Sequence, residues 1–181
     1  MIRQPAPADP SWPRYSPRLF PPYRFVPGFS PHPLRDPDGH SYRNPAPRPD
    51  PFPPDQWRAA PTYLFGIDCY NFAFWWESHE VLEEIWHAVG HDGVQGQFLQ
   101  ALIQIAAAWL QRFRGRDRTA ENLAKAGLER LAEIPDPYMG VATRKLENGT
   151  LDYLTGGIPS YPLIRLVGLD PVETGNNEAE G

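Results

Sequence analysis

The sequence is poor in cysteine and lysine and has no long apolar run. Cys69 is the single cysteine, which excludes an intrachain disulfide and any cysteine-rich zinc module. Lysine occurs only as Lys125 and Lys145, so positive charge is carried almost wholly by arginine. The net charge is −5, and an acidic chain is no electrostatic match for nucleic acid or anionic lipid. The longest apolar run, IAAAWL at 105–110, falls far short of the roughly 20 residues a membrane-spanning helix needs. The opening residues, MIRQPAPADP, lack the apolar core of a signal peptide. These absences lead to the expectation of a soluble cytoplasmic protein with neither nucleic-acid nor membrane partners.

What is abundant is unevenly placed. Of 23 prolines, 18 lie in residues 1–61, and proline at that density prevents ordinary helices and central strands. Yet this segment holds Trp12, Tyr15, Phe20, Tyr23, Phe25, Phe29, Tyr42, Phe52 and Trp57, whereas disordered tails are usually aromatic-poor. The segment is therefore read as an extended strap that lays its aromatics on a helical core. Its centre, PHPLRDPDGHSY at 31–42, carries turn residues around Asp38 and Gly39.

From residue 62 the pattern becomes helical. The spacing predicts a first helix over about 68–88 closed by Gly90, and a second over about 94–114 ending near Gly115. A third starts near Asp117 or Thr119, either of which can act as N-cap, and stops before Pro135. A fourth, shorter helix would use Asp136 as cap, Pro137 in its first turn and Gly149 just past its end. Residues 150–172 read as irregular and 173–181 as a fraying tail. The expected fold is all-α: an antiparallel bundle of three to four helices. Its divisions are an extension over 1–61, a helical domain over 62–149 and an irregular segment over 150–181.

Chemistry concentrates in WWESHEVLEEIWH at 75–87. A helix turns about 100° per residue, which places His79 and Glu83 one turn apart among Trp75, Trp76 and Trp86. Glu77, Glu80 and Glu84 fall on the expected solvent face. A buried carboxylate needs donors, a cation or a raised pKa, so Glu83 requires a partner. The second predicted helix is almost wholly apolar apart from a stripe of Gln97, Gln100, Gln104 and Gln111. Such a helix is central, or forms a subunit interface through which the chain self-associates. If the stripe faces His79 and Glu83, a buried His–Glu–Gln network lies between the two helices.

Several catalytic readings can be weighed on residues alone. A zinc-protease helix reads His-Glu-x-x-His, but here Glu83 stands where the second histidine belongs. His79 and Glu83 can share one helical face, and His87 is the nearest further ligand, with His32 or His40 reaching back from the strap. A di-iron bundle needs more carboxylates than the glutamine stripe provides. DPDG at 36–39 resembles the start of a calcium loop without its later acids. Cys69 has no activating neighbour in the sequence, and the arginines at 112–118 suit a helix C-terminus. No cofactor is clearly indicated, and no small-molecule ligand can be named.

FWWESHEVLEEIWHAVG followed by FLQALIQIAAAWLQRFRG resembles the DUF309 family of small all-helical domains of unknown function. The resemblance runs over roughly 63–133. It implies family positions at His79, Glu80, Glu83 and Trp86 on one helix and Gln100 and Gln104 on the next, and it implies that the strap marks a subgroup. A histidine many relatives carry near the end of the second helix is absent here, and no activity comes with the family. Two functions therefore stand side by side. One is a binding or structural module with an internal His–Glu–Gln network. The other is a small hydrolase or metal-dependent enzyme using His79 and Glu83.

Overall fold

The computed structural model describes residues 4–172; the tail predicted to fray, 173–181, lies outside the described residues. A 3-10 turn, Pro54–Ala59, leads into five helices: α1 Pro61–Asn71, α2 Trp75–Val89, α3 Val94–Phe113, α4 Asp117–Leu131 and α5 Thr143–Leu154. Among the described residues there is no strand, only an isolated bridge between Tyr138 and Val141. The all-α expectation holds. No helix among the described residues is long and apolar enough to cross a membrane.

The first predicted helix is in fact two. α1 opens on Pro61 at its first turn, where a fixed φ and a missing N–H cost nothing. It ends at Phe72, and Ala73 then adopts a left-handed φ of 62° before α2 begins. Within α1 every residue from Tyr63 to Asn71 is buried, as expected of a helix apolar on nearly all sides. The N-cap expected of Asp117 or Thr119 is not made, because Arg116 holds that position without a side-chain cap.

The fourth predicted helix is displaced. Asp136 and Pro137 form a turn, and α5 starts only at Thr143. Gly149 lies inside α5 instead of ending it. A side chain there would meet the Pro162 ring, whose Cβ would be 2.7 Å from the added carbon. The glycine marks a close approach, not a stop.

α3 is the central helix, packed between α2 and α4, with Phe98, Leu99, Leu102, Ile105 and Trp109 almost fully buried. Around this bundle the Pro-rich segment forms a continuous wrap. Phe20 stacks on Phe74 with centroids 4.7 Å apart, and Phe25 meets Trp76 edge-on at 5.0 Å. Tyr15, Val26 and Trp57 are buried in the main core. The C-terminal segment is clasped between this wrap and α1, with Val172 N–H donating to Arg14 C=O at 2.8 Å.

Candidate functional site

The polar residues of α1 and α2 divide into two sets with different work. The buried set anchors the wrap. Asp68 is fully buried, and its carboxylate accepts from Tyr15 N–H and Ser16 N–H, each at 2.9 Å. The Arg14 guanidinium lies 3.4 Å away. Burial raises the Asp68 pKa from its ordinary value, while the two backbone donors and Arg14 pull the other way. Asn71 clamps the C-terminal segment. Its Oδ1 accepts from Ile164 N–H at 2.7 Å and its Nδ2 donates to Ile164 C=O at 2.8 Å.

Glu77 belongs to this set, which corrects its expected place on the solvent face. It is 5% exposed; its Oε1 accepts from Phe25 N–H at 2.8 Å and lies 3.4 Å from His40 Nε2. An extended proline-rich chain has few backbone partners of its own, and buried N–H groups must be paired. Carboxylates on α1 and α2 supply those partners.

The second set is half-buried. His79 Nδ1 lies 3.3 Å from Glu80 Oε1 and 4.0 Å from Glu83 Oε2. The side chains are 30%, 38% and 39% exposed in that order. One ligand atom from each residue falls within 4.8 Å of the other two. His79 Nδ1 is itself shielded from water and lacks hydrogen-bond geometry to any partner. The backbone beneath is held firmly, since Ser78 Oγ–H donates to Gly66 C=O at 2.9 Å and Glu77 is tied to the wrap.

The glutamines do not join this group. Gln100 Oε1 accepts from Arg130 Nε–H at 3.0 Å, and Gln104 Oε1 from Arg130 Nη1–H at 3.2 Å. These two glutamines face α4, and Gln111 Oε1 accepts instead from Arg114 Nη1–H at 3.3 Å. Among the described residues no hydrogen bond joins Gln100 or Gln104 to His79 or Glu83, so the expected His–Glu–Gln network is not formed. Trp86 is half-buried, and its indole N–H has no partner. His87 is not in the His79 group; it pairs with His91 instead, Nδ1 to Nε2 at 3.0 Å. Cys69 is buried, and burial pushes its thiol pKa well above the ordinary value. That makes it a poor nucleophile.

An all-helical domain with a half-buried imidazole–dicarboxylate group on one helix is the class of protein this geometry defines. Residues 63–123 match the model of DUF309, a domain of unknown function, and the resemblance read from the two helix motifs is shown over that stretch. The match begins within the first turn of α1, spans α2 and α3 and ends within α4, leaving the wrap outside it. No curated protein matches the chain.

Proposed function

We propose that this chain is a binding module that takes a divalent cation on His79, Glu80 and Glu83. The observation carrying this reading is the convergence of those three donor atoms within 4.8 Å on a firmly held helix. One imidazole and two carboxylates suit zinc, manganese or iron(II), and three protein ligands leave coordination positions open for water or a further ligand. The wrap serves structure: it shields α1 and the first turn of α2 while the His79 group stays accessible.

Calorimetric titration of the full chain with Zn2+ and Mn2+ tests it. A bound cation raises the unfolding free energy by about 2.7 kcal/mol at a hundredfold excess over Kd, visible as a higher Tm. With Mn2+, His79→Ala and Glu83→Gln should abolish this shift while keeping the helical circular dichroism. Variants that shift Tm with metal as the wild type does would sink the reading.

A further inference from the structure

A second feature of α2 lies at the opposite end from the wrap's carboxylate anchors. Gly90 ends the helix with φ 96°, a left-handed conformation that lets the chain double back. His91 thereby returns over the last turn and stacks flat on the Trp86 indole, centroids 3.7 Å apart and planes 13° apart. The turn is locked from below by α3. A side chain at Gly96 would lie 2.6 Å from the carbonyl oxygens of both Gly90 and His91. Two constraints thus fix His91, one on its ring and one on its backbone.

The His91 ring is aimed at His87, with Nε2 3.0 Å from Nδ1. Both side chains are exposed. Two nitrogens bound to one cation at about 2.05 Å are about 2.9 Å apart in adjacent square-planar or octahedral positions and about 3.4 Å apart in a tetrahedral one. The observed separation lies between these values. Beside His87 runs a groove lined by Arg48, Pro49, Pro51, Glu84 and Ala88, which leaves room for further ligands.

We propose that His87 and His91 form a bis-imidazole site for a divalent cation of the nickel, copper or zinc type, separate from the His79 group. In the metal-free chain one ring donates its N–H to the other. On binding, that proton shifts to the outer nitrogen of the same ring, both inner nitrogens become ligands, and no redox change is involved. Imidazole donors select these cations over magnesium or calcium.

The test separates this site from the one proposed above. Full-length His79→Ala protein, titrated calorimetrically with Ni2+ alone, should retain one bound cation per chain. Adding His87→Ala or His91→Ala to that variant should remove it. With Cu2+ as probe, the electron paramagnetic resonance spectrum of the His79→Ala protein should show two equatorial imidazole nitrogens, falling to one in either double variant. Cu2+ should also quench tryptophan emission through Trp86. Both rings are exposed, so unchanged far-UV circular dichroism checks the fold. Nickel stoichiometry indifferent to His87 and His91, or a copper spectrum with fewer than two imidazoles, would overturn the site and leave the His79 reading untouched.

Discussion

Replacing Asp68 with alanine should detach the front of the wrap. The change orphans two buried donors, Tyr15 N–H and Ser16 N–H, and leaves Arg14 without its carboxylate. Hydrogen bonds to charged acceptors contribute about 1.5–3 kcal/mol each, so the gross loss is about 3–6 kcal/mol. Part of this is returned, because the carboxylate is no longer held in a site that raises its pKa by desolvation. A net loss of about 2–4 kcal/mol remains, which for a chain of this size lowers Tm by roughly 5–15 °C. Urea unfolding followed by tryptophan fluorescence gives the energy. Limited proteolysis followed by mass spectrometry shows whether cleavage moves into residues 4–30. Asp68→Asn keeps a carbonyl for one of the two donors and should fall between alanine and wild type. A loss under about 1 kcal/mol, or a wrap as protected as before, would refute the claim that Asp68 holds it.

Asn71→Leu should cost about 2–4 kcal/mol, since it removes both bonds to Ile164; urea denaturation at a tryptophan-independent wavelength checks this, and near-neutrality would contradict it. Gly140→Ala combines a φ of 79° with a Cβ driven into the Trp57 ring, so a loss of more than about 2 kcal/mol is expected in the same assay. Burial holds the Tyr161 pKa up at about 12 and raises those of Tyr63 and Tyr70 as well. An unfolded tyrosine ionises near 10, so the unfolded chain loses these protons first. Their contribution to stability is complete below about pH 10 and is lost as pH rises towards about 12. Urea midpoints at a series of alkaline pH values should fall accordingly, and Tyr161→Phe should flatten the fall; a level wild-type profile would contradict the burial argument.

Much of the bundle was legible because its signals are local. Gly90, Gly115 and Pro135 punctuate the chain, and the apolar spacing over Val94–Phe113 admits only a helix. The break at Ala73 was not legible, since nothing in FAF favours a left-handed residue. It follows from how α1 and α2 pack, with Phe72 and Phe74 both drawn into one aromatic cluster with Phe65. His79, Glu80 and Glu83 could be paired from spacing, because their contacts lie within one helix. Glu77 could not be placed. A helical wheel knows only the helix, and the group that buries Glu77 is the backbone of Phe25, 52 residues away. The glutamine stripe was visible as a stripe, but its partner Arg130 lies on α4, and sequence spacing does not say which neighbour a polar face meets. A better signal for the covering segments was present: Asp68, which holds the wrap, and Asn71, which holds the C-terminal segment, three apart inside a helix otherwise nearly devoid of polar side chains.

The clasp between Arg14 C=O and Val172 N–H bears on how the chain is made. During synthesis the proline-rich segment emerges before its receptors Asp68 and Glu77, which follow tens of residues later, and residues 161–172 come later still. Until then Tyr15 and Trp12 lack their hydrogen-bond partners Leu166 and Ile164. The bundle can form early from neighbouring helices, but its outer layer can close only once residues 161–172 have been made. Until it closes, the uncovered proline-rich segment is the part of the nascent chain open to aggregation and to proteases.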